Sequence, residues 1–376
     1  MRSLDFFAGS GLVRLGLEPE FETVWANDNS AKKAAVYNAN EPDRPLHLGS
    51  ITDVSGAELP EAELAWASFP CQDLSLAGNL TGIRRGTRSG LFWEWLRVID
   101  ELAAANKKPP VLVAENVLGF LVGRNGSHFR RAYDALKKRG YLVGAVVMDA
   151  RLFVPQSRPR AFIIAVAREL AVGDLAQVGP SAPFHPDILV RASKFVNDPE
   201  WLWWTMPAPS GNVPTFGDLC EREVPCDSAI KTADLRAMLS THNRKKLQKA
   251  LEVGDWRVGT GYRRTRPDSR GRKSQRLEIR FDGVAGCLRT PEGGSSRQVV
   301  VIVDEGRFRT RLITVRECAR LMGAPDTFKI PGSYNDGYRA MGDAVAVPVV
   351  RWLTRHLLAP LASSARRLRA ADESAA

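Results

Sequence analysis

Cys71 is the residue of this chain whose chemistry and position are most suggestive of reactivity. It follows Pro70 at the end of a short apolar run, residues 64–67, and it precedes a polar loop. α/β proteins present nucleophiles at the carboxyl ends of buried strands, so this thiol is a candidate nucleophile. A lone cysteine beside apolar residues is also common as an inert core residue. Its interpretation therefore depends on the groups that accompany it.

Two further patterns supply groups that a cysteine nucleophile requires. Glu115 and Asn116 end another apolar run, where a carboxyl group can donate a proton while an amide orients the substrate. Arg158 and Arg160 stand two positions apart. In an extended segment both side chains point to one face, where they would bind a carbonyl oxygen or a phosphate and lower the pKa of a nearby thiol.

A glycine-rich turn predicts a site for a nucleotide-like ligand. Gly9 and Gly11 lie between the first apolar run and a helical pattern, and Asp28 follows 17 residues after Gly11, at the end of the second predicted strand. Glycines at such a turn let the backbone approach a ligand, and the carboxylate is placed to bind ribose hydroxyls. The pattern fits NAD, FAD and S-adenosylmethionine equally, and a tight structural turn is the alternative.

The elements that carry these groups follow an α/β pattern over the first 170 residues. Apolar runs alternate with amphipathic helical patterns, which predicts a doubly wound, parallel, Rossmann-like sheet. The predicted strands are residues 4–7, 23–26, 64–69, 111–115, 142–148 and 161–167, and the predicted helices include 31–38, 91–104 and 129–138. The alternation fails near residue 173, and helical patterns return at 315–322 and 345–358.

Composition and charge favour a globular protein with a polyanionic partner. The chain has 376 residues, 44% of them hydrophobic, which predicts two domains. Its net charge is +11, and residues 236–280 hold fourteen Lys and Arg against four acidic residues, an excess of ten. A solvated basic face is the ordinary explanation of such a run, but its density and its glycines favour a surface that follows nucleic-acid phosphates.

The cysteines and the apolar runs exclude several other classes. The five cysteines lack the paired spacing of a zinc site and are odd in number, so no metal site and no disulfide framework are expected. No apolar run reaches the ~20 residues of a membrane span, and the predicted first strand begins too early for a signal peptide. A cytoplasmic, nucleoid-associated protein is expected.

In this order the motifs resemble those of the bacterial DNA (cytosine-5) methyltransferases. The matching segments are Asp5-Phe6-Phe7-Ala8-Gly9-Ser10-Gly11, Phe69-Pro70-Cys71-Gln72, Glu115-Asn116-Val117, Gln156-Ser157-Arg158-Pro159-Arg160, Arg316-Glu317-Cys318-Ala319-Arg320-Leu321-Met322-Gly323 and Gly342-Asp343-Ala344-Val345. The resemblance covers residues 1–170 and 310–360 and leaves the insert unmatched. It implies a Rossmann-like methyltransferase sheet with a smaller, irregular target-recognition domain.

The resemblance also implies roles for individual residues. The catalytic residues would be Cys71, Glu115, Asn116, Arg158 and Arg160. Contacts to S-adenosylmethionine would come from Phe7, Ala8, Gly9, Ser10, Gly11, Asp28, Asn29, Ser50, Ile51, Pro70, Leu91, Asp343, Ala344 and Val345. Contacts to DNA would come from Gln72, Ser75, Arg263, Arg264, Arg297 and Gln298. Arg297 and Gln298 follow a glycine-rich loop, where they would read guanine and adenine.

Three positions depart from the pattern of the family. Ser50 stands where an Asp usually binds the adenine amino group, and Asp343 stands where Asn is usual. Asn29 occupies a position where an aromatic residue often stacks on adenine, which leaves Phe7 as the stacking candidate. These departures bear on cofactor affinity more than on the catalytic residues.

The implied reaction is methylation of cytosine carbon 5 in a specific duplex sequence, through base flipping and a covalent adduct of Cys71 with carbon 6. Residues 1–170, rejoined by 310–362, would form the catalytic domain, residues 171–309 the target-recognition domain, and residues 363–376 a disordered tail. The protein would be a monomer, acting with a cognate restriction endonuclease or alone. Methylation of RNA, a DNA-binding regulator without catalysis and a Rossmann dehydrogenase are the alternatives.

Overall fold

The computed structural model describes residues 1–70, 90–267, 271–289 and 297–375. Within them the chain forms two compact units. Unit 1 comprises residues 1–149, 159–209 and 349–376, and unit 2 comprises residues 150–158 and 210–348. No helix of the described residues is long and apolar enough to span a membrane.

Unit 1 is built on a sheet of seven strands among the described residues. They are β1 (Arg2–Phe6), β2 (Glu22–Asp28), β3 (His47–Leu48), β4 (Leu64–Ala67), β5 (Val111–Val117), β6 (Tyr141–Asp149) and β7 (Pro159–Ala167), in the order β3-β2-β1-β4-β5-β7-β6. The six strands predicted from apolar runs are confirmed. The sheet is mixed and not wholly parallel, because β7 runs antiparallel to both β5 and β6.

Helices cover both faces of this sheet. They are α1 (Leu12–Leu17), α2 (Ala31–Asn40), α3 (Leu91–Ala104), α4 (Gly119–Val122), α5 (Ser127–Lys138) and α6 (Asp187–Val196). The main core joins apolar residues of β1, β4, β5, β6 and β7 to the buried face of α3 and α5. All four residues of β4 are buried, as expected of a parallel strand covered on both faces.

The order of the strands places a switch point at β1, which has β2 on one side and β4 on the other. The chain therefore leaves β1 and β4 toward opposite halves of the sheet. Crevices at the carboxyl ends of such strands are the usual ligand sites of open α/β sheets. The glycine turn follows β1 and Pro70 follows β4, so both motifs belong to this edge.

Unit 2 has an antiparallel sheet, β10 (Arg257–Pro267), β11 (Lys273–Arg280), β12 (Val299–Asp304) and β13 (Arg307–Leu312), in the order β11-β10-β12-β13. One face packs on α8 (Ala229–Ala237) and α9 (Thr241–Glu252) through a cluster that includes Leu235, Leu247 and Val301. Other helices among the described residues of the unit are α7 (Phe216–Leu219), α10 (Val315–Leu321) and α11 (Tyr334–Asp343).

The boundaries of the units differ from the predicted domain boundaries. Residues 171–209 belong to unit 1. There the backbone N–H of Leu202 donates to the carbonyl oxygen of Val143, and the backbone N–H of Val147 donates to the carbonyl oxygen of Phe184, both at the outer edge of β6. The short strands β8 (Ala176–Gln177) and β9 (Trp203–Trp204) lie in this segment. Residues 310–348 belong to unit 2, because β13 pairs with β12, and only the residues from Val349 onward return to unit 1.

The prediction of a disordered tail is wrong for the described residues. Helix α12 (Val347–Leu353) continues through a π-helical turn at Thr354–Leu358 into α13 (Ala359–Ala375). Ala365 is buried, and Arg366 and Arg369 form ion pairs with Glu63 and Glu61. An alanine-rich and arginine-rich composition predicts disorder for a segment that packs against nothing. Here the helix buries Ala365 and forms two ion pairs, so the segment is ordered.

Candidate active site

The turn after β1 has a backbone that few residues other than glycine adopt. Gly9 and Gly11 have φ angles of 57° and 84°, and Phe7 shares this left-handed region with φ 58°. A Cβ atom added at Gly11 would lie 2.9 Å from the ring of Tyr37. Ala8 and Ser10 are buried within the turn. The turn thus presents backbone, not side chains, at the carboxyl end of β1.

Asp28 closes this turn from the end of β2. Its carboxylate oxygens accept hydrogen bonds from the backbone N–H groups of Gly9, at 3.0 Å, and Ser30, at 2.8 Å. The side chain is buried, whereas the neighbouring Asn29 is exposed. Asp28 therefore holds the turn in shape, and each carboxylate oxygen retains acceptor capacity for a ligand.

Ser50 begins a short 3₁₀ turn, Ile51–Asp53, at the same end of the sheet. Its Oγ accepts hydrogen bonds from the backbone N–H and Oγ1 of Thr52, at 3.3 and 2.7 Å. Ile51 is buried, and Asn27 donates from Nδ2 to the carbonyl oxygen of Gly49 at 2.9 Å. Ser50 thus acts as a cap of its own turn, which an Asp can also do.

The burial of Asp5 could not be predicted from its position in the first motif. The side chain is fully buried on β1, and neither carboxylate oxygen has a hydrogen-bond partner among the described residues. Burial raises the pKa of Asp5 well above its ordinary value, the charge of Asp28 adds to this effect, and Arg14 partly offsets it. The raised pKa favours the neutral, protonated form of the Asp5 carboxyl group.

Glu115 and Arg160 form an ion pair on neighbouring strands. Nε of Arg160 lies 3.1 Å from Oε1 of Glu115, and both side chains are largely buried. Antiparallel pairing of β5 with β7 sets Arg160 opposite Val117, two residues beyond Glu115 on β5. The sequence prediction that these two residues share a site is consistent with this geometry.

Asn116 is bound to the segment that precedes the candidate nucleophile. Its Nδ2 donates to the carbonyl oxygen of Phe69 at 3.1 Å, and its Oδ1 accepts from the backbone N–H of Val117 at 2.8 Å. This favours a positioning role over the predicted contact with the base. Pro70 is exposed directly after Phe69. Cys71, Gln72 and Ser75 lie outside the described residues, and Leu91 begins α3 as a partly buried residue.

Arg158 and Arg160 bind different partners, which does not support the prediction of a paired arginine site. It is buried in unit 2, where its guanidinium donates to the carbonyl oxygens of Leu288, Gly342 and Ala344 at 2.8, 2.9 and 2.6 Å. Strand β7 begins at Pro159, so Arg158 precedes the strand and the alternation of faces does not reach it. Its hydrogen bonds are those of a structural residue.

The residues of the last motif lie at the end of α11 and in the two positions after it. Asp343 is exposed, Val345 is buried, and the carbonyl oxygen of Ala344 accepts the bond from Arg158. These three residues belong to unit 2, and the cofactor residues before residue 100 belong to unit 1.

The predicted DNA-reading residues of unit 2 have distinct environments. Arg263 is exposed on β10, whereas Arg264 lies 3.1 Å from Glu278 in an ion pair across the hairpin. Arg297 bonds Oδ1 of Asn335 and lies over the ring of Tyr334, 5.8 Å from its centroid.

Gln298 is not available to read a base in this structure. It is fully buried, and its Nε2 donates to Tyr262 Oη and to the carbonyl oxygen of Gly286, at 2.7 and 2.8 Å. Its Oε1 accepts from the backbone N–H of Gly286 at 3.1 Å. The glycine run before it suggested a loop, but β12 begins at the next residue.

A family model identifies the chain. The model of the C-5 cytosine-specific DNA methylases matches residues 1–359. The chain belongs to this family. The methyltransferase therefore modifies carbon 5 of cytosine in DNA, and the sequence predictions of family, fold and reaction class are confirmed. A dehydrogenase and a regulator without catalysis are not supported.

Curated relatives agree with this assignment. The methyltransferase is 29% identical to the Type II methyltransferase M.BsuFI of Bacillus subtilis, over 93% of this chain and 70% of the relative. It is 26% identical to the Type II methyltransferase M.HhaI of Haemophilus parahaemolyticus, over 95% of this chain and 94% of the relative.

Solved structures share the fold. A mutant of Spodoptera frugiperda DNMT2 aligns over 95% of this chain and 99% of its own, with a TM-score of 0.62 and 16% identity. The Entamoeba histolytica methyltransferase EhMeth aligns over 96% and 98%, with a TM-score of 0.62 and 13% identity.

Proposed function

We propose that this methyltransferase uses S-adenosylmethionine to methylate cytosine in a specific duplex sequence, through a covalent adduct of Cys71 with a flipped base. The observation that carries the proposal is the buried pair of Glu115 and Arg160 beside Asn116, whose amide binds the backbone two residues before Cys71. The proposed proton donor, Glu115, thereby lies next to a residue that binds the segment leading to the proposed nucleophile.

The residues of unit 1 fit S-adenosylmethionine. The glycine turn offers backbone groups, and Asp28 offers acceptor capacity for ribose. When bound, the cofactor supplies an electrophilic methyl group on a sulfonium. The remaining proposed cofactor contacts are Phe7, Ser50 and Ile51 at the adenosine end, Pro70 and Leu91, and the last-motif residues Asp343, Ala344 and Val345.

The chemistry of the protein residues follows from the target. Carbon 5 of cytosine is a weak nucleophile, so the Cys71 thiolate first forms a bond to carbon 6. The displaced electron density moves into the ring toward nitrogen N3, and Glu115 stabilises it there by protonating or hydrogen-bonding N3. Arg160 orients Glu115 and binds the carbonyl edge of the base. After methylation a base removes the proton of carbon 5, and the bond between sulfur and carbon 6 breaks.

A stacked cytosine is inaccessible to these groups, so the base must leave the duplex at a cost of a few kcal/mol. The basic residues of unit 2 would bind the duplex, and Arg263, which is exposed on β10, is one of the proposed phosphate contacts. We assign the target-recognition role to the part of the predicted insert, residues 171–309, that lies in unit 2, which is residues 210–309, because residues 171–209 belong to unit 1. Gln72, Ser75, Arg264 and Arg297 remain proposed DNA contacts.

The cellular role is proposed from the relatives. M.BsuFI and M.HhaI are named Type II methyltransferases, which favours a role in restriction–modification with a cognate endonuclease, or an orphan role in epigenetic marking. The protein would act as a monomer, in the cytoplasm and on the nucleoid.

Mapping 5-methylcytosine by bisulfite sequencing, in a host that lacks cytosine methylation, tests the activity and identifies the recognition sequence. Methylation confined to one short motif is expected with the wild type. Cys71→Ser is expected to leave the genome unmethylated while retaining binding to the duplex. Cys226→Ser, a partly exposed cysteine of unit 2, is the matched control and should methylate normally.

A duplex with 5-fluorocytosine at the target tests the covalent step separately. Fluorine replaces the proton that must leave carbon 5, so the adduct should persist with the wild type and be absent with Cys71→Ser. Full methylation by Cys71→Ser would refute the covalent mechanism.

A further inference from the structure

Arg97 binds the segment that follows Ser50 to the surface of α3. Its Nη2 donates to the carbonyl oxygens of Ile51 and Val54, at 3.0 and 3.1 Å. The segment from Ser50 to Gly56 consists of one 3₁₀ turn and the start of a second, so it has few hydrogen bonds of its own. One guanidinium therefore supplies two of the contacts that fix its path.

Two carboxylates hold Arg97 in the orientation that these contacts require. Nε of Arg97 donates to Glu94 at 2.8 Å, and Nη1 donates to Glu101 at 2.5 Å. The spacing of three and four residues sets all three side chains on one face of α3. All but one of the donor directions of the planar guanidinium are thereby used, which a lysine cannot reproduce.

Glu101 extends the same network to the far end of the segment. Its Oε2 accepts from the backbone N–H of Gly56 at 2.7 Å. A Cβ atom at Gly56 would lie 2.4 Å from the carbonyl oxygen of Val98, so the backbone lies directly on the helix. Both ends of the segment are thus fixed to α3, at Ile51 through Arg97 and at Gly56 through Glu101.

We propose that Arg97 is a positioning residue for cofactor binding: by holding the Ile51 and Val54 carbonyl groups, it sets the conformation in which Ser50 and Ile51 receive the adenine of S-adenosylmethionine. This inference rests on the proposed function, which assigns Ser50 and Ile51 to the cofactor. Arg97 does not contact the reacting atoms, and its effect is on cofactor affinity.

The test compares Arg97→Lys with Arg139→Lys. Asp100 is on α3, as Arg97 is, and it forms a bidentate ion pair with Arg139, at 2.7 Å from each carboxylate oxygen. Neither residue forms a hydrogen bond with residues 50–56. Calorimetric titration of S-adenosylmethionine is expected to show a Kd raised about tenfold in Arg97→Lys and unchanged in Arg139→Lys. In methylation assays the KM for the cofactor should rise by the same factor while kcat at saturation stays within about twofold.

Two further measurements separate positioning from general destabilisation. 5′-Methylthioadenosine contains the adenosine end of the cofactor alone, and its affinity should fall by the same factor. Hydrogen exchange of residues 51–56 should accelerate in Arg97→Lys and not in Arg139→Lys. If Arg97→Lys does not fold, Glu101→Gln replaces it, because this variant weakens the Arg97 contact and retains an acceptor for Gly56.

The outcomes distinguish this inference from the proposed function. A wild type that binds S-adenosylmethionine, with an Arg97→Lys variant that binds it equally well, overturns the positioning role and leaves the proposed function intact. A wild type that binds no S-adenosylmethionine overturns both. A parallel loss of affinity in Arg139→Lys would show that any ion pair on α3 has this effect and would also overturn the inference.

Discussion

Arg158 and Arg160 are separated by one proline, yet their guanidinium groups bind different kinds of partner. Arg158 donates to three backbone carbonyl groups of unit 2, and Arg160 lies 3.1 Å from the carboxylate of Glu115. The first environment is that of a residue that stabilises a fold. The second is that of a residue that keeps the proposed catalytic carboxyl group in place.

Substitution of Arg158 should therefore lower mainly the stability of the protein, and substitution of Arg160 should lower mainly its activity. Arg158→Met leaves the carbonyl oxygens of Leu288, Gly342 and Ala344 without this donor, at about 1–3 kcal/mol for each group left unsatisfied in the interior. We expect a large fall in the free energy of unfolding of unit 2, measured by urea denaturation. Arg160→Met should lower methylation at a smaller cost in stability. An Arg158→Met variant with native stability and no activity would restore the catalytic role predicted from the sequence.

Glu115→Gln removes the acidic proton while preserving the shape of the side chain. We expect single-turnover methyl transfer to slow by about 10²–10⁴-fold, the usual contribution of a positioned acid, with duplex affinity unchanged. Glu63→Gln is the matched control, since Glu63 is a buried glutamate at the amino end of β4, paired with Arg366. Equal losses in both variants would mean that Glu115 acts only through stability.

Asp5→Asn is predicted to stabilise the protein, increasingly so as the pH rises. The folded state holds the proton of Asp5 above the ordinary pKa of about 3.9, so the unfolded chain binds fewer protons and Asp5 costs stability as the pH increases. The asparagine variant should unfold at a higher temperature at pH 8 and at nearly the same temperature near pH 4. A difference that is constant with pH would contradict the buried, protonated state of Asp5.

Removal of residues 363–376 is expected to destabilise unit 1. The deletion removes the buried Ala365 from its packing and removes the ion pair of Arg366 with Glu63. A fall of more than about 1 kcal/mol in the free energy of unfolding is expected, since a docked segment is lost. Removal of residues 371–376 is the control. Equal stability of the full chain and the longer deletion would support the tail predicted from composition.

The sequence predicted the catalytic sheet well because its signals are local. The apolar run 64–67 and the glycines at 9 and 11 each constrain the backbone where they stand, so β4 and the turn after β1 could be located from residue types. The reversed direction of β7 could not, since antiparallel pairing with β5 leaves no mark in an apolar run that is buried on both faces.

Long-range contacts explain the remaining differences. The glycine-rich residues before Gln298 predict a loop, but contacts with Tyr262 and Gly286, which are distant in sequence, bury its side chain. The unit boundary near residue 209 depends on bonds from Leu202 and Val147 across the edge of β6, where prolines had suggested a new domain. The helical spacing of Glu94, Arg97 and Glu101 is visible in the sequence. The contact of Arg97 with the carbonyl oxygens of Ile51 and Val54 is not, because these residues lie more than 40 positions away.

Unit 2 takes its first nine residues from the middle of the catalytic sequence, between β6 and β7. Besides Arg158, Gln156 donates from Nε2 to the carbonyl oxygen of Leu321 at 2.8 Å and accepts from the backbone N–H of Leu288 at 3.0 Å. Under the target-recognition role proposed above, residues 210–309 can be exchanged between related enzymes only where residues 150–158 stay compatible, because these nine positions belong to the same unit and lie outside the exchanged segment.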